Sequence, residues 1–464
     1  MKTQWIDELG QRVPLSRQPQ DLQTYGRDWT RVYVPRPSAV VFPRHADEVC
    51  EVLRFCSEHG IAVVPSGGRT GLSAGAVAAE GELVLSLERL RTLGEVDPFG
   101  LTLTTGAGVT NHEVHVHCEH LGLTWPVDLA SKGSCQVGGN LATNAGGIRV
   151  LRYGHARHWV TGLQVALMDG TLLNLGNAVQ KDNVGPDLRQ LMIGSEGILG
   201  VITRATLRLA LLPSDRQVLF LAVDGMETGL ELLRHARIQG RFQLQAFEFM
   251  GRNCLEAVMK VGGSPSPFGP GELPPAAVLI EVEGRLDGEL DRWLEQVMSQ
   301  KLVQDGLVAK SSADLNRLWA YRDNITESLG RLGLMHKNDI SVEVGRLAEF
   351  VHVLEKEVAP VFPGELYLFG HLGDGNLHIN VMKPSAMDPE EFWDGCHVAD
   401  VQLYELLHKL GGSVSAEHGI GLLKKSALGF SRGPAEVATM RAVKKALDPE
   451  GLLNPGKVFD LSTT

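Results

Sequence analysis

The stretch PSGGRTGLSAG, residues 65–75, follows an apolar strand at 61–64. Its adjacent glycines let backbone amides approach an anion as closely as a diphosphate requires. The spacing is not that of a P-loop, because no Lys-Ser/Thr pair follows, nor the G-x-G-x-x-G of a dinucleotide fold. Taken alone, a structural turn is the simpler reading. Two more Gly-rich segments lie in the same half, WPVDLASKGSCQVGGNLATNAGG at 125–147 and IGSEGILGVIT at 193–203. Three such segments suggest backbone wrapped around a large extended ligand.

Outward from this loop, AVVFP (39–43) and IAVVPSGG (61–68) read as strands, with a helix between them at ADEVCEVLRFCSEHG. ELVLSL and LTLTTGAG read as further strands, then a helix over 110–121. GLQVALMDGTLLNLG (162–176) reads as a hairpin turning at Asp169-Gly170. Gly density falls after about 212, where a domain boundary is placed. Strands and longer helices then alternate to 360, interrupted by a surface loop at GGSPSPFGPGELPP, 262–275. The expected class is α+β, with domains at 1–212 and 213–415 and a C-terminal segment at 416–464.

Composition narrows the function. The 464 residues carry a formal charge of −11, which argues against a nucleic-acid partner. Six scattered cysteines without a C-x-x-C pair suit a reduced, intracellular protein. The opening MKTQWIDELGQRVPL has no apolar signal core, and no run approaches the roughly 18 apolar residues of a membrane span. A cytoplasmic address without a transmembrane segment is therefore expected.

LYLFGHLGDGNLHINV, 366–381, reads as two strands joined at Asp374-Gly375, a preferred pair for a two-residue type I′ turn. In that register His371 faces His378, with Cβ atoms roughly 5 Å apart, and Phe369 faces Asn380 on the same side. The segment alone is equally compatible with two histidines on an exposed hairpin. SAEHGIG, 415–421, tips the balance: Glu417 supplies an oxygen ligand, and His418 beside it is left to act as a base. Two His and one carboxylate form a catalytic-type zinc set, although manganese or iron also accepts these ligands. By contrast, NHEVHVHCEH (111–120) falls one residue short of H-E-x-x-H. His112 and His115 are expected on a solvated helix face.

In LNRLWAYRDNITESLGRLG, 315–333, Leu315, Leu318, Ile325 and Leu329 form a helical apolar stripe that contains Arg322. Thr326 follows one turn on. A charge on such a stripe needs a partner, which makes Arg322 either an internal ion pair or a receptor for a carboxylate. Lys337, at the entrance to HKNDISVEV, is placed to join the same anion.

The three Gly-rich segments resemble the flavin-binding half of the vanillyl-alcohol-oxidase type flavoproteins, with their PCMH-type FAD domain. The likeness runs through most of 35–460. It implies an antiparallel-sheet substrate domain and a C-terminal segment, NPGKVF (454–459), that closes back on the flavin half and adds Asn454 to the cofactor-binding residues. It further implies that Pro65, Ser66, Gly67, Gly68, Arg69, Thr70 and Gly71 hold the FAD diphosphate. Pro126, Asp128, Ser131, Gly139, Thr143, Asn144, Gly146 and Gly147 would line the flavin, and Val201 and Ile202 its adenine side. The diphosphate loop has no histidine, so non-covalent FAD is expected.

Within that group, W-x-x-R-x-x-I-T-E, a lysine, G-H-L-G-D-G-N-L-H-x-N and A-E-H-G-I-G resemble the D-2-hydroxyglutarate dehydrogenases. KDNVGPDLRQLMIGSEGILG (181–200) leans the same way. The resemblance implies that Arg322, Thr326 and Lys337 receive the distal carboxylate and Asn380 the C1 carboxylate. It makes His371, His378 and Glu417 the ligands of zinc or another divalent metal, and His418 the general base. It also implies an electron-transfer flavoprotein or a quinone as electron acceptor, D-malate as a possible second substrate, and a homo-oligomeric state, a dimer. A D-lactate or glycolate dehydrogenase of the same fold remains open, as does a metallohydrolase with a purely structural Gly-rich half.

Overall fold

The computed structural model describes residues 4–179, 181–284 and 288–461. The chain divides into two compact units, with 148–152 and 213–416 in the second and the remainder in the first. The C-terminal segment from 417 onward thus belongs to the first unit.

In the first unit, β1 (Leu15–Ser16), β2 (Ala39–Val41), β3 (Val63–Ser66) and β4 (Leu83–Ser86) lie in the order β1-β2-β4-β3. β2 and β3 both run parallel to β4. Parallel strands need a crossover, here the helix Ala46–Glu58, which buries Val49, Val52, Leu53, Phe55 and Cys56 on one stripe. A second, antiparallel sheet contains β5 (Leu93–Asp97), β6 (Thr102–Gly106), β8 (Val160–Ala166), β9 (Leu172–Gly176) and β10 (Val201–Arg208). Its order is β5-β6-β10-β8-β9, and β7 (Leu123–Thr124) pairs with β11 (Ala210–Leu211). The β8–β9 hairpin turns where Gly170 takes φ +82°.

The C-terminal segment is fastened to this unit by backbone and by buried cations, Lys444 chief among them. Leu453 bridges Val63, and Asn454 N–H donates to Val63 O at 2.7 Å. The ammonium of Lys444, 3% exposed, donates to Ile198 O at 2.7 Å, Leu453 O at 2.8 Å and the Asp448 carboxylate. A buried ammonium is tolerated because its donors are all used.

The second unit is built on a seven-stranded antiparallel sheet. Its strands are β12 (Arg216–Val223), β13 (Gln243–Gly251), β14 (Ala276–Glu283), β15 (Gly306–Val308), β16 (Met335–Ser341), β17 (Glu365–His371) and β18 (Asn376–Met382). The order is β15-β12-β14-β13-β17-β18-β16. The helices Ser312–Asp323 and Ile325–Leu332 cover one face, burying Leu318, Trp319, Ile325 and Leu329 against Phe220, Leu279 and Phe369. They are two helices, not one: the chain bends at Asn324, the C-cap of the first.

The β17–β18 hairpin corrects the expected turn. Phe369 pairs with His378 and His371 with Asn376, so the loop is Leu372–Gly375, four residues rather than two. Tyr367, not Phe369, faces Asn380. The physical cause is Leu372, which is fully buried and packs at the helix Met226–Gln239 beside Gly229. Gly373 N–H donates to Phe247 O at 3.1 Å, which pins the loop. Only Gly375 takes the left-handed conformation, at φ +87°, while Asp374 does not. The two-residue shift preserves parity, so both histidines still share a face.

A Cβ on Gly375 would lie 2.1 Å from Val342 O, in a conformation that L residues rarely adopt. Gly375→Ala is expected to cost at least roughly 1–3 kcal/mol, seen as a lower urea midpoint. An unchanged midpoint would contradict this role for the turn.

Candidate functional site

In the first unit, the loop after β3 and the helix Val137–Ala142 line a cleft. Its walls include Pro65, Gly67, Gly68, Arg69, Thr70, Gly71, Gly139, Thr143, Val201, Ile202 and His418. Ser66 lies in β3, fully buried, and Pro126, Asp128, Ser131, Asn144, Gly146, Gly147 and Asn454 are not on the cleft wall. The peptide at Gly68 packs so tightly that a Cβ would lie 2.2 Å from Ser134 O. A Cβ at Gly147 (φ +102°) would lie 2.1 Å from Asp128 O. Asn144 fixes the turn by accepting from Arg157 N–H at 3.1 Å.

The cleft fits a large polar cofactor. A Cβ on Gly139 would meet nothing within 4 Å, so backbone there fronts open space. On the cleft wall, Gln136 Oε1 is buried without a partner, whereas Asn454, off the wall, donates from Nδ2 to Gly75 O and Glu196 O. An unpaired buried acceptor is costly, and a flavin or adenine N–H would satisfy it. Arg69 supplies positive charge, held at φ +58° by a bond to Gly67 O at 2.9 Å and by stacking over Tyr25 at 4.4 Å.

Glu196 was not singled out by the sequence, yet it organises the Glu417–Gly421 loop. Its two oxygens accept from Ile420 N–H and Gly421 N–H, each at 2.8 Å. Burial raises its pKa, opposed by these bonds and by Lys424. Gly419, at φ +80°, passes over the carboxylate where a Cβ would lie 2.9 Å from Glu196 Cδ. Glu417 Oε1 accepts from Gly147 N–H at 3.4 Å. His155 is also near this carboxylate: burial lowers its pKa and the Glu417 charge opposes that.

In the second unit, the register of β13, β17, β18 and β16 places the chemistry on one face. Glu248 pairs with His371, Asp339 with His378, and Lys337 with Asn380. The His371 and His378 rings are 5.5 Å apart between centroids, with ligand nitrogens within 4.8 Å. Each histidine has a buried carboxylate directly across the strand pair. His371 Nδ1 is 2.8 Å from Glu248 Oε1, and His378 Nδ1 is 3.5 Å from Asp339 Oδ1. Hydrogen-bonded at Nδ1, His371 as a neutral imidazole presents its Nε2 lone pair, as metal-binding histidines require. This donor set fits a borderline divalent ion.

Arg322, 7% exposed, donates from Nε to Glu248 Oε2 at 2.7 Å and lies over the Phe369 ring at 5.0 Å. The internal ion pair left open by the sequence therefore exists. It engages Nε, while Nη2 is 3.4 Å from His371 Nε2. Burial alone would raise the Glu248 carboxyl, but the charges and hydrogen bonds of His371 and Arg322 outweigh it, leaving it below its ordinary value. Lys337 is exposed overall, yet the protein packed around its ammonium lowers its pKa. Asn380 is 3% exposed and Thr326 is exposed on the second short helix. Ala416, which immediately precedes Glu417, donates to Asp339 O at 3.3 Å.

Of the histidines in 111–120, His115 and His117 are tethered rather than simply solvated. His115 Nε2 lies 2.9 Å from Trp125 O and His117 Nε2 3.0 Å from Gly94 O. His112 is exposed, and the helix begins in a capping box between Thr110 and Glu113.

Glu196→Ala is expected to free the Ile420 and Gly421 amides, speeding their hydrogen exchange by roughly 10-fold or more, since such bonds contribute about 1.5–3 kcal/mol. Glu196→Gln, keeping one acceptor, should fall between. Unchanged exchange in Glu196→Ala would refute the anchoring.

Residues 37–176 match a family model described as FAD binding domain, and 212–458 match the FAD linked oxidases, C-terminal domain. A D-2-hydroxyglutarate dehydrogenase of Xanthomonas citri pv. viticola is 44% identical, over 98% of this chain and 97% of that protein. The mitochondrial D-2-hydroxyglutarate dehydrogenase of Bos taurus is 39% identical over 95% of this chain and 80% of that one. The crystal structure of p-cresol methylhydroxylase with substrate bound shares the fold, at TM-score 0.76 and 15% identity, covering 100% of this chain and 98% of that one. With two glycine-walled and sheet-borne sites in a chain so similar along its length, this protein belongs to the D-2-hydroxyglutarate dehydrogenase family of FAD-linked oxidoreductases.

Proposed function

We propose that the protein oxidises D-2-hydroxyglutarate to 2-oxoglutarate, with D-malate as a second substrate, using non-covalent FAD and a divalent metal, zinc by preference. The observation that carries this reading is the sheet face where Arg322, Lys337 and Asn380 accompany two carboxylate-backed histidines. Two cationic groups suit a substrate with a second carboxylate; a lactate or glycolate has no use for them.

When bound, FAD supplies the hydride acceptor and the metal supplies Lewis acidity toward the 2-hydroxyl. His371, His378 and Glu417 are the proposed metal ligands; Glu417 follows directly on Ala416, itself bonded to the strand opposite His378. His418 takes the hydroxyl proton on a ring nitrogen, a role supported by its position on the cleft wall. Arg322, Lys337 and Thr326 hold the distal carboxylate, and Asn380 orients the C1 carboxylate through its amide. Gly67, Gly68, Arg69, Thr70 and Gly71 cradle the diphosphate. The reading adds an electron-transfer flavoprotein or quinone as acceptor, a dimer, and a cytoplasmic address. Among the described residues no helix is long and apolar enough to cross a membrane.

Lys337→Met tests the carboxylate clamp. A charge-assisted hydrogen bond contributes about 1.5–3 kcal/mol, so KM for D-2-hydroxyglutarate should rise roughly 10- to 100-fold, with turnover of D-lactate little changed. Equal losses on both substrates would favour the monocarboxylate reading. The same variant has a stability signature. Because the folded-state pKa of Lys337 lies below 10.5, the unfolded chain binds more protons between the two values, and stability rises with pH across that window. Lys337→Met should flatten that rise and leave stability near neutral pH undiminished, as read from pH-dependent urea midpoints.

A further inference from the structure

Glu248 sits in the strand sequence AFEFM between Phe247 and Phe249 and is 1% exposed. A carboxylate there would be strongly destabilising unless both oxygens were engaged. Both are: Oε1 is 2.8 Å from His371 Nδ1, and Oε2 is 2.7 Å from Arg322 Nε. The strand register sets the first contact, since Glu248 and His371 are paired across β13 and β17. The second comes from the helix Ser312–Asp323 packed on that face. The same two partners also meet each other, with Arg322 Nη2 3.4 Å from His371 Nε2.

We propose that Glu248 is a positioning residue that couples the metal site to the substrate clamp, through one carboxylate shared between His371 and Arg322. This rests on the metal reading above. Toward His371, Glu248 fixes the tautomer with Nδ1–H, turns Nε2 outward and makes the ring a stronger donor. Toward Arg322, it holds Nε and so anchors the guanidinium at one end, leaving Nη2 to swing between His371 Nε2 and a substrate carboxylate. Arg322 Nη2 lies against the nitrogen that would hold the metal, so a metal held there would leave that N–H for a substrate carboxylate. The two residues therefore act on metal affinity with opposite sign. Glu248 favours the dication and Arg322 opposes it, because like charges at this separation repel inside a buried site.

The test is a zinc titration of the flavin-loaded protein after chelator stripping, in competition with a chromophoric zinc chelator, for the parent, Glu248→Gln and Arg322→Met. Flavin absorbance and the thermal midpoint report folding. Glu248→Gln should bind zinc roughly 10- to 100-fold more weakly, the range for loss of a histidine's outer partner. Arg322→Met should bind it at least as tightly as the parent. If Glu248→Gln does not retain flavin, Glu248→Asp carries the test, since it keeps the charge but shortens the reach to Nδ1, and weaker binding is again expected. Zinc affinity in the Glu248 variants within about twofold of the parent would overturn the proposal. So would equal weakening in Glu248→Gln and Arg322→Met, because a merely structural ion pair fails the same way from either side. A parent that takes up no zinc would instead defeat the metal reading itself.

Discussion

The antiparallel register of β13, β17, β18 and β16 is the constraint on which the second unit's chemistry depends. Side chains alternate faces along a strand, so a slip of one residue in any pairing would move a whole set of polar groups to the opposite side. The register found puts Glu248, His371, His378, Asp339, Lys337 and Asn380 on one face. It is held by a hairpin loop pinned at Leu372 and Gly373 and by a left-handed Gly375. A sheet is a stiff support for this purpose. Ligands on strands are positioned more precisely than ligands on loops.

In each unit, the protein engages buried carboxylates rather than excluding them. Glu248 and Asp339 each stand across the strand pair from one histidine. Glu196 receives two loop amides in the first unit. Each occupies a position where an unpaired carboxylate would cost several kcal/mol by rough estimate. Under the proposed function, their partners are the groups that hold the metal and the substrate or carry the proposed base. In the first unit, the unpaired acceptor on Gln136 lies on the wall of the glycine-lined cleft, where a cofactor's N–H would satisfy it.

Much of this was legible in the sequence because the signals are local. Three glycine-rich segments, the β8–β9 turn at Asp169-Gly170, the crossover helix and the paired histidines all announce themselves within short contiguous stretches. The hairpin loop was misjudged because Asp-Gly satisfies a two-residue turn locally, whereas burial of Leu372 beside Gly229 is a tertiary fact. Arg322 stood out as a charge on an apolar stripe, but its partner did not. Glu248 lies 74 positions away in an apolar strand, where nothing in the local pattern points to Arg322 or His371. Glu196 was hidden likewise inside a glycine-rich segment read for its backbone, with its amide partners 224 and 225 residues on.

The most direct measurement is anaerobic reduction of the bound flavin by D-2-hydroxyglutarate, followed by its absorbance, before and after metal is stripped with a chelator and its removal verified. Rapid bleaching by D-2-hydroxyglutarate, lost on stripping and restored by zinc, is the expected result. Bleaching that persists in verified metal-free protein, or that occurs with D-lactate but not with D-2-hydroxyglutarate, would contradict it.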